Sequence, residues 1–250
     1  MRILKSADAV RDWTRGVSGS TGFVPTMGAL HEGHSALIER AVNECDSVIV
    51  SIFVNPTQFN DSKDFESYPI SLEADFDMAS RAGASAAYVP ESVEIYKDGQ
   101  LFEIRESLIS QEMEGRARPG HFWGVLTVVM KLLNIVKPTR AYFGEKDYQQ
   151  FLLIRRMAAA FFLDCEIIPC PTVRAADGLA LSSRNQRLTI AARQRAPKLF
   201  HTLKNSDSIH AARSSLEDGG FLVEYIEEHW GRRFVAAQLE DVRLIDNVKI

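Results

Sequence analysis

The sequence predicts an α/β protein with a doubly wound parallel sheet and a second, smaller domain at its C-terminal end. Three observations predict this fold. Short β-branched runs alternate with helical stretches up to about residue 170, the central runs are apolar without alternation, and the alternation stops after residue 174. Strands covered by helices on both faces lose the polar alternation of half-exposed strands. Alternating strands and helices favour right-handed connections in a parallel sheet.

The first three predicted strands cover residues 21–26, 47–54 and 85–90. Between the first two lies a helix at 33–45, which presents one apolar side, as packing on a sheet requires. That side is formed by Leu37, Ile38, Ala41 and Val42. The next helix covers 71–83, where Ser71 is a suitable N-cap and Gly83 a suitable C-terminal stop.

Two further strands are expected, at 140–144 and 165–170. A mostly apolar helix at 122–136, which Pro138 ends, precedes the first of them. A helix at 147–162 connects the two. Five strands with intervening helices are therefore predicted for the larger domain.

The C-terminal part of the chain is expected to form the small domain. Residues 188–203, 208–219 and 221–230 have the composition of helices, and strands and helices no longer alternate. We therefore divide the chain into domains at 1–173 and 174–250.

Charge and composition exclude several classes of function. The net charge of −4 is spread along the chain, so there is no basic footprint for nucleic acid or an anionic membrane. No window of about 18 apolar residues occurs, and charges interrupt the N-terminus before a signal peptide develops. The three cysteines, Cys45, Cys165 and Cys170, form no Cys-x-x-Cys pair. That pattern argues against disulfides and a thiolate zinc site and favours the cytoplasm.

The turn PTMGALHEGH, residues 25–34, carries the most informative chemistry. Gly28 and Gly33 allow tight turning and a close approach of backbone to ligand. Ligands of open α/β sheets bind beyond the carboxyl ends of strands, and the N-terminus of the following helix favours phosphate. His31 and His34 can donate hydrogen bonds to phosphate oxygens there and stabilise the charge that develops as pyrophosphate leaves.

Two other interpretations of this turn remain open. A zinc site would use both histidines, but they lie three residues apart rather than in His-Glu-x-x-His spacing, and a third ligand must come from elsewhere. The other interpretation is a solvated turn whose histidines are incidental.

Loops after other predicted strands supply matching chemistry. They cover residues 53–59, 144–147 and 179–185, at carboxyl ends that can converge on one site. The polar side chains in and beside these loops are Asn55, Gln58, Lys146, Gln150, Ser182, Ser183 and Arg184. Lysine and arginine suit phosphates, and the amides suit a hydroxy acid. Each residue alone also has an ordinary explanation as a cap or a solvated side chain, and the case for a site depends on the set.

Five motifs closely resemble the pantothenate synthetase (pantoate–β-alanine ligase) family. They are FVPTMGALHEGH, VSIFVNPTQF, EGRARPGHFWGV, YFGEKDYQQ and DGLALSSRN, in the order of the family. The resemblance covers about residues 1–195 and returns at 242–247. It places the chain in the wider HxGH nucleotidyltransferase superfamily, which includes class I aminoacyl-tRNA synthetases. It implies a Rossmann-like first domain for nucleotide and pantoate, and a small C-terminal α+β domain that acts as a lid.

The resemblance implies an ATP-dependent ligation in two steps. The pantoate carboxylate attacks the α-phosphorus of ATP and gives pantoyl adenylate and pyrophosphate. The amine of β-alanine then attacks this mixed anhydride and gives pantothenate and AMP, in the pathway to coenzyme A. Such a site mainly positions reactants and neutralises charge. Magnesium is expected on the ATP phosphates rather than in a protein cage, and a cytoplasmic homodimer is expected.

Residue roles follow from the same resemblance. The ATP site would include Pro25, Met27, Gly28, Ala29, Leu30, His31, Glu32, Gly33, His34, Gly144, Glu145, Lys146, Asp147, Val173, Leu181, Ser182, Ser183 and Arg184. The catalytic residues among them would be His31, His34, Lys146, Ser182, Ser183 and Arg184. Thr26, Asn55, Gln58 and Gln150 would hold pantoate, and Gln58 would also contact β-alanine. Lys146 would bind phosphates, Asp147 the ribose and Val173 the adenine. The family's proton donor would be His34, although the chemistry mainly requires charge stabilisation.

One departure from the family concerns the small domain. Only about 46 residues separate LTIAARQR from VRLIDN, which predicts a shortened lid whose antiparallel strands are compressed into residues 221–242. Two alternatives to the ligase remain: a nucleotidyltransferase for another acid or amine, and a binding protein that keeps only the fold. The first would not require the pair Gln58 and Gln150. The second is opposed by the presence of His31, His34 and Lys146.

Overall fold

The computed structural model describes residues 1–60, 62–66 and 68–250. In these ranges a parallel six-stranded sheet has the order β1-β4-β3-β2-β5-β6. Its strands are β1 (Arg2–Leu4), β2 (Thr21–Thr26), β3 (Ser47–Ile52), β4 (Ala86–Tyr88), β5 (Arg140–Gly144) and β6 (Glu166–Cys170). The predicted doubly wound parallel sheet is confirmed. Strand β1 was not predicted, because a three-residue edge strand is too short to leave a periodic pattern.

Helices connect the strands of this sheet. They are α1 (Ala7–Gly16), α2 (Glu32–Glu44), α3 (Ser62–Glu66), α4 (Leu72–Arg81), α5 (Ser92–Ile95), α6 (Met113–Ala117), α7 (His121–Val136) and α8 (Tyr148–Ala160). The adjacent residues Phe23 and Val24 of β2 are both 0% exposed. Since neighbouring side chains of a strand point to opposite faces, both faces of the sheet are covered, which explains the apolar runs without alternation.

The two expected ends of the helix predicted at 71–83 differ in outcome. Ser71 does precede α4, but its side chain makes no capping hydrogen bond. Gly83 follows the helix with a φ of +94°, a backbone conformation that favours glycine, as expected for a C-terminal stop. Among the cysteines, Cys170 is buried, and Cys45 and Cys165 are partly exposed.

The C-terminal region combines helices with an antiparallel sheet. The helices are α9 (Ile190–Arg195), α10 (Lys198–Asn205) and α11 (Ile209–Asp218), and the strands are β7 (Leu222–His229), β8 (Arg232–Leu239) and β9 (Val242–Lys249). The three strands pair in chain order, and buried side chains of these helices and strands share one hydrophobic core. The predicted C-terminal α+β fold is therefore confirmed.

The helix predicted at residues 221–230 is wrong, because this segment forms β7. Val223 and Ile226 lie three apart and fit one face of a helix, so the apolar spacing alone was ambiguous. The hairpin turn decides the outcome: Trp230 and Gly231 have φ values of 51° and 68°. Two successive residues with positive φ form the two-residue turn whose twist matches paired antiparallel strands.

The structure divides into two compact units, each described by itself below. The first unit comprises Met1–Gly144 and Gln149–Cys170, and the second comprises Glu145–Tyr148 and Pro171–Ile250. The second unit thus includes a short segment that lies far from the rest of it in the sequence. The division of the chain at 173/174 into functional domains stays a prediction. None of the helices in the described ranges combines the length and apolar character that a bilayer crossing requires.

Candidate active site

The turn after β2 has the strained backbone that its sequence suggests. Gly28 has a φ of +82°, and the next residue, Ala29, has a φ of 50° although it is not glycine. A non-glycine residue in this conformation needs support from its surroundings. Part of that support comes from Thr26, whose hydroxyl accepts a hydrogen bond from the Gly28 amide at 3.2 Å and donates one to the Ser51 carbonyl at 2.7 Å.

A buried carboxylate fixes the rest of the turn. Asp75 of α4 is 2% exposed and accepts hydrogen bonds from the amides of Ala29 at 3.1 Å and Leu30 at 2.7 Å. Burial raises the pKa of the Asp75 carboxyl, and the two amide hydrogen bonds offset part of that rise. A Cβ on Gly28 would lie 2.9 Å from an Asp75 carboxylate oxygen. Glycine is therefore required both for φ and for the space that the carboxylate occupies.

Both histidines of the turn cap helix α2. The Nδ1 atom of His31 accepts a hydrogen bond from the Gly33 amide at 3.1 Å, and the Nδ1 atom of His34 accepts one from the His31 amide at 3.2 Å. A ring nitrogen that accepts carries no proton, so each ring holds its proton on Nε2. The rings lie 4.1 Å apart between centroids. The turn thus presents two Nε2–H donors at a helix N-terminus.

The predicted substrate residues of the next loop are linked to this turn. Asn55 is buried and donates from Nδ2 to the Gln58 side-chain oxygen at 3.1 Å. The Gln58 side-chain nitrogen lies 3.1 Å from the sulfur of Met27. The structure therefore brings together Thr26, Met27, Asn55 and Gln58 within the first unit, as the sequence analysis expected of converging loops.

Helix α7 holds the backbone of the same loop. The Gln58 carbonyl accepts hydrogen bonds from Arg118 at 3.1 Å and from the Nδ1 atom of His121 at 2.8 Å. Gly124 allows this approach, since a Cβ there would lie 2.5 Å from the Thr57 carbonyl oxygen and 2.8 Å from the Gln58 amide nitrogen. The EGRARPGHFWGV motif thus supports the loop that carries Gln58.

Other predicted residues of the first unit have less decisive surroundings. Pro25 lies in β2 and is partly buried, Glu32 is exposed in the first turn of α2, and Gly144 ends β5. Gln150 is partly buried in α8. Its neighbour Gln149 is 4% exposed and hydrogen-bonds the carbonyls of Ile109 and Glu112. Of this pair of glutamines, Gln149 supports the fold.

In the second unit, Lys146 belongs to the 3-10 turn Glu145–Asp147. Its ammonium group lies 3.7 Å from the Asp147 carboxylate, and its side chain is 19% exposed. Asn247 of β9 donates from one side-chain nitrogen to the carbonyl oxygens of Glu145 at 2.9 Å and Lys146 at 3.0 Å. The VRLIDN motif therefore fixes the backbone that carries the predicted phosphate-binding lysine.

An arginine extends this support. Arg232 of β8 is 6% exposed, donates to the Asn247 side-chain oxygen at 2.7 Å and pairs with the Glu145 carboxylate at 2.9 Å. Its guanidinium also stacks over the Tyr148 ring, 4.1 Å from the centroid. A planar guanidinium can make these contacts together, whereas a lysine ammonium could not. Glu145 is thus a structural ion-pair partner in this arrangement.

The SSRN loop also lies in the second unit. The Leu181 amide donates to the Val173 carbonyl at 3.0 Å, which holds the two predicted ATP-site residues side by side. Ser182 caps the 3-10 helix Ser183–Arg187 by accepting from the Arg184 amide at 3.3 Å. Ser183 is 6% exposed, while Ser182 and Arg184 are partly exposed. A serine cap therefore fixes the start of the loop that carries the arginine.

Sequence reasoning missed the residues that hold the predicted site residues in place. Asp75 resembled an ordinary acidic residue in the first turn of a helix, and Gly124 an ordinary glycine in an apolar helix. Asn247 lay in a quoted motif, yet nothing in its spacing indicated a contact with residues about 100 positions earlier. The one sequence signal for Asn247 was that the family resemblance returns at VRLIDN.

Comparisons with known proteins show which family this chain resembles. The sequence model of the family described as pantoate-beta-alanine ligase matches residues 2–249. The pantothenate synthetase of Bdellovibrio bacteriovorus is 51% identical over 249 residues, which cover 100% of this chain and 99% of that protein. The pantothenate synthetase of Legionella pneumophila is 52% identical over 231 residues, which cover 91% of this chain and 90% of that protein.

Solved structures give the same result. The pantoate-beta-alanine ligase of Francisella tularensis, complexed with beta-gamma ATP and β-alanine, has a TM-score of 0.95 at 42% identity and covers 100% of this chain and 97% of its own. The pantothenate synthetase of Thermus thermophilus has a TM-score of 0.94 at 38% identity, with 100% and 99% covered. The two solved chains are covered to 97% and 99%, so the shortening expected for the C-terminal domain does not distinguish this chain from them. The chain belongs to the pantoate–β-alanine ligase family.

Proposed function

We propose that this ligase makes pantothenate from pantoate and β-alanine through a pantoyl-adenylate intermediate at the expense of ATP. In the first step a pantoate carboxylate oxygen forms a bond to the α-phosphorus of ATP, and the bond from that phosphorus to pyrophosphate breaks. In the second step the β-alanine nitrogen forms a bond to the acyl carbon, the carbon–oxygen bond to AMP breaks, and the amine loses a proton. Adenylation is needed because a free carboxylate is a poor acyl donor.

The observation that carries this proposal is the turn between β2 and α2. Two imidazoles hold their Nδ1 atoms against backbone amides, so both rings are set as Nε2–H donors at the N-terminus of a 13-residue helix. Preset donors in such a place stabilise charge that develops on phosphate oxygens. We assign His31 and His34 to the leaving pyrophosphate. For His34 this is an electrostatic role, because charge stabilisation needs no proton transfer.

The remaining residues divide between the substrates. Gln58, Gln150, Asn55 and Thr26 are assigned to pantoate, and Gln58 also to β-alanine. The ATP groups are assigned to Lys146 for phosphates, Asp147 for ribose and Val173 for adenine, with Leu181, Ser182, Ser183 and Arg184 closing over the triphosphate. The relative from Francisella tularensis, complexed with beta-gamma ATP and β-alanine, supports this choice of ligands.

Magnesium, a dimer and a cytoplasmic location complete the proposal. Within the described residues no three His, Cys, Asp or Glu side chains form a group that could hold a metal ion. A hard cation that binds through ATP phosphates needs no such group, and it would supply charge neutralisation on the triphosphate. The homodimer is tested by the mass of the protein in sedimentation, and the location by fractionation of the cells.

Isotope exchange tests the intermediate directly. The enzyme is incubated with ATP, magnesium and labelled pyrophosphate, with or without pantoate, and without β-alanine. The proposal requires label to enter ATP only when pantoate is present, and AMP to be released rapidly only after β-alanine is added. Two outcomes would refute the adenylate intermediate. One is exchange that does not depend on pantoate, and the other is the absence of exchange at a high enzyme concentration that still makes pantothenate normally.

Substitutions at His34 separate its two candidate roles. Glutamine can place an N–H donor near the position of a histidine Nε2 but cannot serve as an acid, whereas alanine supplies neither function. If His34 acts through its hydrogen bond, His34→Gln retains at least about tenfold more exchange activity than His34→Ala. Equal loss in both variants would favour proton donation. The exposed His210 provides the control, since His210→Ala should keep full activity.

Lys146→Ala tests the site in the second unit. We expect loss of most pantoate-dependent exchange with an unchanged thermal transition, because the side chain is assigned to ATP phosphates and not to the core. Lys198→Ala is the matched control for loss of a lysine in this unit. Normal exchange activity in Lys146→Ala would remove this residue from the proposed site.

A further inference from the structure

A buried tyrosine lies behind the loop that carries Gln58. Tyr96 is 8% exposed, and its hydroxyl donates to the Asn55 side-chain oxygen at 2.5 Å. Burial raises the pKa of the Tyr96 hydroxyl, so it stays a donor at neutral pH. Thr57 is the other neighbour of this pair: its hydroxyl lies 3.0 Å from the Asn55 oxygen and 3.0 Å from the Tyr96 hydroxyl oxygen.

The position of the phenol ring is itself fixed. The ammonium group of Lys131 lies 4.7 Å from the centroid of the Tyr96 ring, a cation–π distance. The same ammonium donates to the Ile95 carbonyl at 3.0 Å and to the Asp98 carboxylate at 2.9 Å. Helix α7 thus ties the segment that carries Tyr96, and the hydroxyl cannot move far from Asn55.

The Tyr96 hydroxyl helps to fix which way the Asn55 amide faces, together with the Thr57 amide, which donates to the same Asn55 oxygen at 3.4 Å. With its oxygen toward Tyr96, Asn55 directs its nitrogen to the Gln58 side-chain oxygen at 3.1 Å and the Gly124 carbonyl at 3.3 Å. The reverse orientation would turn the NH2 group toward the Thr57 amide and an amide oxygen toward the Gly124 carbonyl. Donors would then face donors, and acceptors acceptors, at a buried position, where unsatisfied groups are costly.

The orientation of Asn55 in turn sets that of Gln58. Because the Asn55 nitrogen is a donor, it must meet the Gln58 oxygen, and the Gln58 nitrogen is left to face the sulfur of Met27 at 3.1 Å. A thioether is a weak acceptor, so a substrate oxygen can replace it at little cost. The chain of contacts therefore presents N–H groups, rather than a carbonyl oxygen, on the side of the nucleotide turn.

We propose that Tyr96 is a positioning residue that stabilises the amide orientation of Gln58 through Asn55, so that Gln58 donates hydrogen bonds to an oxygen of pantoate. This inference rests on the proposed assignment of Gln58 to pantoate. Tyr96 itself touches no substrate in this arrangement. Its hydroxyl reinforces the orientation in which Gln58 presents an N–H donor, rather than a carbonyl oxygen, at the binding surface, and this suits an oxygen-rich hydroxy acid.

The test uses Tyr96→Phe with Tyr88→Phe as a matched control. Tyr88 is also a buried tyrosine, and its hydroxyl has no hydrogen-bond partner in the described part of the chain, so its loss leaves activity unchanged. In Tyr96→Phe the KM for pantoate should rise about tenfold, while the KM for ATP stays within about twofold. A general structural role would move both constants and the thermal transition together, and that outcome would overturn the proposal.

Gln58→Ala separates this inference from the proposed function. If Gln58→Ala leaves the KM for pantoate unchanged, the assignment of Gln58 fails, and the inference fails with it. If Gln58→Ala raises that KM but Tyr96→Phe behaves as Tyr88→Phe does, only the role of Tyr96 is refuted. The double variant Tyr96→Phe/Gln58→Ala provides the remaining evidence. Its KM for pantoate should equal that of Gln58→Ala alone, whereas a further rise on adding Tyr96→Phe would show that the tyrosine acts by another route.

Discussion

Replacing Gly124 by alanine tests whether the close contact between α7 and the Gln58 loop is needed for activity. The added Cβ would lie 2.5 Å from the Thr57 carbonyl oxygen, whereas ordinary contact begins at 3.4 Å, so the two backbones must separate by about 0.9 Å. Both neighbours are backbone atoms and cannot rotate away. Overpacking of this kind costs about 1–3 kcal/mol. For a protein of this size each kcal/mol lowers Tm by about 2–4 °C.

The effect on activity should exceed the effect on stability. The same separation displaces the Gln58 backbone, and it weakens the hydrogen bond from Asn55 to the Gly124 carbonyl. A displacement of about 1 Å at a substrate-binding group can cost about 100-fold in rate. We therefore expect kcat/KM for pantoate to fall about 10- to 100-fold in Gly124→Ala. The assay is pyrophosphate release against pantoate concentration, below the thermal transition of the variant.

Gly16→Ala is the control for this prediction. Gly16 also lies in a helix, and a Cβ there meets no atom within 4 Å. Alanine should stabilise this position by about 0.5–1 kcal/mol and leave the kinetics unchanged. If Gly124→Ala matched Gly16→Ala in both Tm and kcat/KM, the contact between α7 and the loop would have no role in placing Gln58.

Three further predictions concern residues outside the ligand-contacting set. In Asp75→Asn the side chain must turn an NH2 group toward one of the two backbone amides that Asp75 holds. We expect kcat/KM for ATP to fall at least about tenfold, with little change in the KM for pantoate. Equal changes in both constants would contradict the role of Asp75 in fixing the nucleotide turn. Asn247→Asp replaces the donor to two carbonyl oxygens by an acceptor. We expect the free energy of unfolding to fall by about 1–3 kcal/mol and the KM for ATP to rise. An unchanged KM for ATP would contradict the role of Asn247 in holding the Lys146 segment. Burial, followed by the charges of Asp164 and Glu166, raises the pKa of the Cys165 thiol to about 12. Ellman's reagent should therefore modify this thiol about 50- to 100-fold more slowly than free cysteine at pH 7.5, as measured by mass spectrometry. A rate equal to that in denaturant would contradict this pKa.

Periodicity in the sequence was sufficient for the parallel sheet. Strands β2 and β5 coincide with the predicted residues 21–26 and 140–144, because apolar runs bounded by polar residues are hard to mistake when both faces are covered. The error at β7 arose because the spacing of its apolar residues fits a helix as well as a strand. There the backbone of the turn at Trp230 and Gly231, rather than the strand, determined the structure.

The predicted site residues and their supports differ in how far the sequence could identify them. His31 and His34 act locally, since each accepts a hydrogen bond from a backbone amide two or three residues away at the start of α2, and contacts over so short a spacing depend on local sequence. Asp75 lies 46 positions from the amide of Ala29 that it holds. A contact over that distance depends on the pairing of strands and helices, which no local pattern contains.

The supports share a physical property that bears on the mechanism. Asp75, Asn247 and Arg232 are each less than 9% exposed. Asp75 and Asn247 hold backbone groups of predicted ligand-contacting segments, and Arg232 pairs with the Glu145 carboxylate and holds the Asn247 side chain. A buried polar group must find its partner during folding, because leaving it unpaired costs about 1–3 kcal/mol. We therefore expect the donors of the proposed site to be in place before any ligand arrives, so that no reorganisation is needed when charge develops on phosphate. Buried polar side chains thus fix the geometry of these segments, which supports the proposal of catalysis by positioning and charge stabilisation.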